Sequence, residues 1–319
     1  MAVAEIGTDL NRAIDLLKLD NLVAIPTETV YGLAANGLNP LAVSQIFQVK
    51  NRPHFDPLIL HIGKIEQLDD LAQNIPQKAK ILAQQFWPGP ITLVLEKKDV
   101  VPSIVTSGLP TVGIRMPNHP MTLELLQRIS FPLAAPSANP FKYVSPTTAQ
   151  HVFNQLGFQI PYILDGGNCK IGIESTIVAF HNDDVHVLRL GGLSLEKIES
   201  VIGPVIVSTD IHTTIQAPGQ LLQHYAPSCK LVPIDESTDK MNLDGLILLS
   251  KNSEKQRKIN LKIKRFYLSE AGDILEASSN LFSVLRQLDD LDLKTVGFEW
   301  LEENGLGRAI NDRLKRASN

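Results

Sequence analysis

The sequence predicts an α/β protein of two domains, and three observations lead to that prediction. Short β-branched runs alternate with amphipathic helical stretches, which is the pattern of an α/β fold. The chain has 319 residues, which is long for one hydrophobic core and comfortable for two. The alternation breaks after Val207 and resumes near Lys230. We therefore expect a larger domain over residues 1–207, a linker or lid over 208–229 and a smaller αβ domain over 230–319.

The larger domain opens with a helix and a strand. The helix spans about Asp9 to Leu17, and the strand follows at Leu22–Ile25. Further strands are expected at Leu58–Ile62, Ile91–Glu96, Val112–Met116, Leu133–Ala135, Tyr162–Leu164, Thr176–Phe180 and Val185–Leu190. In the smaller domain we expect strands at Leu231–Ile234, Leu246–Leu249 and Val296–Trp300 and a helix at Ile274–Leu288.

A second helix of the larger domain carries a cation in an unusual place. Asn39-Pro40 is typical of a helix start, with asparagine as N-cap and proline at the first helical position. Apolar side chains then share one face, at Val43, Ile46 and Phe47. Lys50 falls next on that stripe, where an unpaired ammonium is costly unless it meets an anion. Lys50 and Arg52 also lie in the last helical turn, where cations stabilise the macrodipole, so both interpretations stay open.

Composition and charge exclude several classes of protein. Net charge is −4 at pH 7, so no overall positive field draws the chain onto nucleic acid. The N-terminus lacks the pattern of an export signal, and no apolar run approaches the ~18 residues of a membrane span. Cys169 and Cys229 are isolated and form neither a CxxC pair nor a disulfide framework. We therefore expect a cytoplasmic protein without a membrane partner.

Four segments carry more polar chemistry than turns require. They supply hydroxyls, amides and cations with few carboxylates, a lining that favours anions. They are Pro26–Gly32, Lys50–Pro53, Pro136–Pro140 and Gly172–Thr176. Three of them lie where strands meet loops, where open α/β sheets place ligands. The chain has no GxxxxGK[ST] phosphate loop, no GxGxxG after the first strand and no metal-ligand spacing, so any nucleotide binds by a less common scheme.

Single residues remain ambiguous when only the pattern is considered. Arg115 and Arg189 alternate with apolar neighbours on their strands, so each faces either solvent or a ligand. His61 fits a satisfied core histidine at least as well as a functional one. Thr29 and Ser137, taken alone, fit a strand former and a turn former.

Read together and in order, these segments resemble the YrdC family. The resemblance rests on PTETVYG, KNRP with PLILH, FWPGPITLVL, VGIRMP, AAPSAN with SPT, LDGG, GIESTIV and LRLGG. The later APG…HYAP segment and the small domain resemble the two-domain threonylcarbamoyl-AMP synthases of that family. The family signature pairs KxR with SxN, here Lys50/Arg52 with Ser137/Asn139.

The resemblance implies a fold and a reaction. The fold would be a curved mixed sheet with a concave cleft, followed by a Rossmann-like α/β domain. The enzyme would join L-threonine, bicarbonate and ATP into threonylcarbamoyl-AMP and release pyrophosphate. A partner transferase would then modify the tRNA adenosine beside the anticodon, so strong direct tRNA binding is not expected. Mg²⁺ would arrive with ATP, and no protein-ligated metal is predicted.

The resemblance also implies the roles of individual residues. ATP would be bound by Lys50, Arg52, Thr111, Ser137, Asn139, Ser145 and Arg189. Threonine would be bound by Thr29, His61, Arg115, Ala135 and Ser175. The linker would close over the site through His224 and Tyr225. Asp56 departs from the family, which usually has asparagine there, because an acid repels phosphate unless it is paired or turned away.

Two alternatives come from other classes. A double-stranded RNA-binding module would suit the family's concave surface, but the net charge and the lack of aromatic stacking motifs oppose it. The most basic stretch, Lys251–Arg265, is better interpreted as a solvated face. A carbamoyl-adenylate activity, as in hydrogenase maturation proteins, would be accompanied by cysteine pairs that this chain lacks.

Overall fold

The computed structural model describes residues 3–208, 225–234, 242–253 and 263–318. The strands in these ranges are β1 (Glu5–Gly7), β2 (Val23–Ile25), β3 (Gly32–Asn36), β4 (Ile59–His61), β5 (Ile91–Glu96), β6 (Thr111–Arg115), β7 (Leu133–Ala134), β8 (Tyr162–Leu164), β9 (Thr176–His181), β10 (Asp184–Arg189), β11 (Ile206–Val207), β12 (Lys230–Pro233), β13 (Gly245–Leu248), β14 (Lys264–Tyr267) and β15 (Thr295–Phe298). The helices are α1 (Leu10–Lys18), α2 (Pro40–Lys50), α3 (Gln67–Leu71), α4 (Gln77–Phe86), α5 (Ser103–Thr106), α6 (Pro120–Arg128), α7 (Ala149–Leu156), α8 (Leu195–Ile202), α9 (Ile274–Asp290) and α10 (Gly305–Ala317).

These strands form two sheets. Within the described ranges the first sheet has the order β1-β8-β2-β3-β7-β4-β6-β5-β9-β10-β11, and the second has the order β12-β15-β13-β14. The first is mixed, since β4 runs parallel to β6 whereas β5 runs antiparallel to it. The paired strands of the second are all parallel. A large mixed sheet with a smaller α/β unit after it confirms the predicted fold class.

The start of α2 forms as the sequence predicts. The Asn39 side chain accepts a hydrogen bond from the Leu41 amide at 2.9 Å, and Pro40 occupies the first turn. The apolar face of the helix is buried in the core of the first sheet. Asn51 ends the helix in the left-handed conformation, with φ of 50°, which asparagine tolerates better than most residues. This turn carries the chain from the buried Lys50 into Arg52.

The two sheets are joined through a shared core. Tyr225, Phe282 and other apolar residues of the C-terminal part pack in one cluster with Val30, Val144 and Ile173 of the first part. Polar contacts cross the same boundary, for example from the Ser279 hydroxyl to the Cys169 carbonyl at 2.9 Å. The C-terminal domain therefore packs directly behind loops that follow the strands of the first sheet.

Some elements differ from the sequence prediction. The strand β3 was not expected, because Gly-Leu-Ala-Ala-Asn contains no β-branched residue. The strand β14 lies at the edge of the second sheet, within and just beyond the basic stretch. Within the predicted linker, residues 209–224 lie outside the described residues, whereas 208 and 225–229 are described. Among the helices that the structure describes, none has the length and apolar character to cross a membrane.

Candidate active site

A cleft between the central strands of the first sheet brings together most of the residues singled out from the sequence. Its lining includes Thr29, Arg52, His61, Arg115, Ala135, Ser137, Ser175, Arg189 and Tyr225. Strands β3, β7, β4, β6, β5, β9 and β10 are consecutive neighbours, and all of these residues except Arg52 and Tyr225 lie at or near the ends of six of them. Arg52 follows α2, and Tyr225 precedes β12. His61 and Arg115 are register partners at the last positions of the parallel strands β4 and β6. Residues far apart in sequence therefore meet at one place.

Arg115 faces the cleft, not the solvent. Its side chain is 5% exposed, and its Nη2 lies 2.7 Å from Oε1 of the equally buried Glu28. Nε and Nη2 of Arg115 and both carboxylate oxygens of Glu28 make no hydrogen bond to the described residues. The guanidinium is therefore charge-balanced while part of its donor capacity stays available to a ligand.

His61 lies beside Arg115 as a buried, neutral imidazole. Burial lowers its pKa to about 3, and the nearby positive charge of Arg115 adds to the effect. Its Nδ1 lies 3.3 Å from the Ile59 carbonyl oxygen. At neutral pH this side chain can donate or accept a hydrogen bond with a ligand, but it cannot balance the negative charge of a ligand.

Hydroxyl groups on this side of the cleft are held by other polar groups. The Thr29 hydroxyl lies 2.8 Å from the Thr27 hydroxyl, and the Ser175 hydroxyl lies 2.8 Å from that of Thr92. Arg189 donates from Nε and Nη2 to the Ser175 carbonyl oxygen at 3.1 and 2.9 Å. These contacts fix the hydroxyls before any ligand is present, which reduces the ordering cost of binding.

Arg52 is paired with the acid that the sequence left unexplained. Its Nη2 lies 2.9 Å from Oδ2 of Asp56, and both side chains are buried. It also donates to the carbonyl oxygens of Asp56 at 3.0 Å and Pro57 at 2.8 Å. Burial lowers the pKa of Arg52 and raises that of Asp56. Asp56 thus orients Arg52 and is neutralised by it.

Lys50 is buried beneath the cleft and does not line it. Its ammonium donates to the carbonyl oxygen of Ser137 at 2.6 Å and to that of Asn139. The Asn139 amide in turn donates to the carbonyl oxygens of Pro140 and Tyr143, at 2.8 and 2.9 Å. Burial lowers the pKa of Lys50 well below its usual value, and the charge of Arg52 contributes. Both residues order the loop that presents Ser137, and their direct contact with ATP stays a prediction.

Two further predicted residues lie outside the lining. Thr111 begins β6, about 13 Å along the strand from Arg115 at the other end. Ser145 is buried, and its hydroxyl donates to Oε1 of Glu174 at 2.6 Å. Their contacts with ATP also stay predictions, and His224 lies outside the described residues.

The sequence interpretation gave no role to Glu174 or Arg313. Glu174 lines the cleft, and its Oε2 lies 3.0 Å from Nε of Arg313, which comes from α10. No spacing rule joins residues 139 positions apart, so only the fold reveals this pair. In the described part of the chain no cluster of three or more His, Cys, Asp or Glu side chains could hold a metal.

A mixed sheet whose central strands end in paired arginines and fixed hydroxyls defines an α/β protein that binds anionic ligands. Comparison with known families makes this specific. Residues 15–191 match the Sua5/YciO/YrdC family, described as telomere recombination, and residues 193–319 match the family described as threonylcarbamoyl-AMP synthase, C-terminal domain. The chain belongs to the Sua5/YrdC family of threonylcarbamoyl-AMP synthases, which are nucleotidyltransferase-type enzymes.

Relatives of nearly full length support this assignment. The threonylcarbamoyl-AMP synthase of Pyrococcus abyssi is 42% identical over 317 residues, covering 96% of this chain and 93% of the relative. That of Bacillus subtilis is 38% identical over 322 residues, covering 96% and 92%. The solved structure of P. abyssi Sua5 complexed with L-threonine superposes with a TM-score of 0.89 at 37% identity, covering 100% and 97%. These relatives give no support to the RNA-binding alternative.

Proposed function

We propose that this chain synthesises threonylcarbamoyl-AMP from L-threonine, bicarbonate and ATP, with release of pyrophosphate. The observation that carries the proposal is one cleft lined by three arginines, Arg52, Arg115 and Arg189. Arg115 and His61 are register partners at the ends of β6 and β4, and we assign this part of the cleft to the threonine carboxylate, because a guanidinium forms a bidentate pair with it. We assign Arg52 and Arg189 to the polyphosphate and call their part of the cleft the nucleotide end.

The residues divide between the two substrates accordingly. Threonine would contact Thr29, His61, Arg115, Ala135 and Ser175. The nucleotide would contact Arg52, Ser137 and Arg189 directly, with Lys50, Asn139 and Ser145 close behind them and Thr111 further away. Tyr225 lines the cleft and is the described part of the predicted lid. Mg²⁺ would enter with ATP and hold its phosphates.

The reaction needs no protein nucleophile. The threonine amine attacks bicarbonate, and loss of water leaves a carbamate. A carbamate oxygen then attacks the α-phosphate, and the bond to the bridging oxygen breaks as pyrophosphate leaves. Catalysis would rest on holding anionic partners in line and offsetting the charge that develops at phosphorus. Buried arginines that are already oriented by acids and carbonyls suit that task.

The product has a defined next step. We propose that a partner transferase moves the threonylcarbamoyl group to the tRNA adenosine beside the anticodon, in the cytoplasm, without strong tRNA binding by this chain. We also keep 1–207, 208–229 and 230–319 as the proposed divisions of the chain. The end of β11 at Val207 and the start of β12 at Lys230 support those boundaries.

Pyrophosphate release tests the reaction directly. Release is measured from ATP with Mg²⁺, while threonine and bicarbonate are each omitted in turn. We expect release to require all three substrates and to yield threonylcarbamoyl-AMP, which mass spectrometry identifies. Release that is indifferent to threonine would overturn the proposal and favour a carbamoyl-adenylate activity.

A further inference from the structure

The C-terminal helix α10 places a fully buried arginine behind the cleft. Arg313 has a side-chain exposure of 0% and contacts Oε2 of Glu174 through Nε at 3.0 Å. Its Nη2 donates to the Leu190 carbonyl oxygen at 2.8 Å, just after β10. Its guanidinium lies 5.2 Å from the centre of the Tyr225 ring. One side chain of the second domain therefore contacts two residues of the cleft lining.

Glu174 is the reason why this contact matters for an anionic ligand. It lines the same cleft as Arg52 and Arg189, and an unpaired carboxylate there would repel a polyphosphate. Its two oxygens are instead occupied by the Ser145 hydroxyl at 2.6 Å and by Arg313. Burial alone would lower the pKa of Arg313. Its interactions with Tyr225, Glu174 and the neighbouring Asp312, whose Oδ2 lies 2.7 Å from Nη1, outweigh that effect and raise the pKa. Arg313 is therefore a permanent counter-charge.

Tyr225 depends on the same arginine. The ring contacts the Arg313 guanidinium and also stacks on Phe282 of α9, whose ring centre is 5.3 Å away. The Tyr225 amide donates to the Lys142 carbonyl oxygen at 3.0 Å, and its φ of 65° is unusual for a bulky residue. Contacts from both domains thus hold this residue against the cleft.

We propose that Arg313 is a positioning residue for the nucleotide end of the cleft, supplied by the C-terminal domain. It neutralises Glu174 and holds Tyr225 in the cleft lining. The inference rests on the proposed function, since it assumes that a nucleoside triphosphate occupies this end. The C-terminal domain would then contribute to the ATP site, in addition to any contribution to the stability of the fold.

The same helix offers a matched control. Arg308 also reaches across to the first domain, where its Nη1 lies 2.8 Å from Oε1 of Glu196. This pair is part-exposed, and neither Arg308 nor Glu196 is among the described residues that line the cleft. Arg308→Met therefore removes an interdomain ion pair of the same kind without changing charge in the cleft.

The test compares R313M, R308M, E174Q and the double variant E174Q/R313M. We expect R313M to raise the apparent KM for ATP by about tenfold or more, because it removes the Arg313 counter-charge from an acid that lines the cleft. The KM for threonine should change by less than about threefold, and R308M should leave both constants within about twofold. In the E174Q background, adding R313M should raise the KM for ATP by less than in the wild-type background, because no carboxylate remains to be neutralised and only the support of Tyr225 is lost.

Three outcomes would overturn the inference. They are an unchanged KM for ATP in folded R313M, equal increases in both KM values, and a loss in the E174Q background as large as in the wild type. Should R313M fail to fold, R313Q is measured in its place, because glutamine can still donate a hydrogen bond to Glu174 but carries no charge, and the same three outcomes decide. Calorimetric binding of ATP to each variant separates this inference from the proposed function. Wild-type protein that binds ATP but releases no threonine-dependent pyrophosphate contradicts the function only.

Discussion

The Asp56 carboxylate lies 2.9 Å from the Arg52 guanidinium, and both side chains are buried beside the cleft. An acid at this position repels phosphate when it is free, but here its charge is already compensated. The pair also holds Arg52 in one orientation, together with the carbonyl oxygens of Asp56 and Pro57. The local charge is thus balanced before a ligand arrives, and Arg52 is ordered in advance.

Substitution at these two positions should have unequal effects on ATP use. We expect Arg52→Ala to raise the KM for ATP by at least about tenfold, because a charge-assisted hydrogen bond to phosphate contributes about 1.5–3 kcal/mol. Asp56→Asn should leave this KM equal or lower, since asparagine still offers an oxygen to Arg52 and removes a negative charge. Steady-state pyrophosphate release at saturating threonine measures both. If D56N were as damaging as R52A, the carboxylate itself would be required, for example as a ligand of Mg²⁺.

Arg115 should act on threonine and leave ATP largely unaffected. We expect Arg115→Ala to raise the KM for threonine by at least about tenfold, because the bidentate carboxylate contact is lost. The variant also leaves Glu28 buried and unpaired, which destabilises by about 3–5 kcal/mol. Measuring E28Q against E28Q/R115A removes that complication.

An exposed arginine provides the control for Arg115. Arg128→Ala breaks an ion pair with Glu124 on the surface of α6, which contributes at most about 1 kcal/mol. It should leave both KM values unchanged. A threonine dependence that survives R115A intact would mean that the carboxylate binds elsewhere.

Much of this site follows from local sequence rules, and the rest depends on the fold. The Asn39-Pro40 start fixes the phase of α2, so its apolar stripe predicts correctly that Lys50 is buried. The alternation on β6 does not decide whether Arg115 faces solvent or a ligand. Strand periodicity shows which residues share a face of the sheet, but it does not show what lies against that face. The Glu174–Arg313 pair joins positions 139 residues apart, which no local rule reaches. Packing of the second domain alone brings them together.

Because His61 is buried and neutral, we expect the protein to lose stability in acid. Burial lowers its pKa in the folded protein to about 3. As pH falls below about 6.5, the unfolded chain binds a proton that the folded chain does not, so the free energy of unfolding decreases. Between pH 7 and pH 5 this amounts to roughly 2 kcal/mol for one such histidine. Denaturant unfolding at both pH values measures the loss.

The variant His61→Asn isolates this contribution. We expect it to be less stable at pH 7 but to lose roughly 2 kcal/mol less than the wild type between pH 7 and pH 5. His181→Asn, at an exposed position, should keep the wild-type pH dependence. Identical pH dependence in wild type and H61N would show that His61 takes up its proton equally well in both states.

A substitution at Lys50 distinguishes between two roles of this residue, a cation at a helix end and a member of the ATP site. Its ammonium is buried and donates to the carbonyl oxygens of Ser137 and Asn139. In Lys50→Met the Ser137 carbonyl keeps the Asn139 amide as a donor, whereas the buried Asn139 carbonyl loses the lysine donor. We expect a loss of stability of about 1–3 kcal/mol for this unsatisfied group. The KM for ATP should rise too, since the loop that presents Ser137 loses its anchor.

Lys18 is the matched control for Lys50, because it lies in the last turn of α1 but is exposed. Lys18→Met removes only the favourable interaction with the helix macrodipole, about 0.3–1 kcal/mol, and should leave the KM for ATP unchanged. Chemical denaturation and pyrophosphate release are measured on both variants. If K50M behaved like K18M in both assays, Lys50 would be a helix-end cation and would leave the nucleotide site. A larger loss of stability together with a raised KM is the expected result, because only Lys50 supports a loop of the cleft.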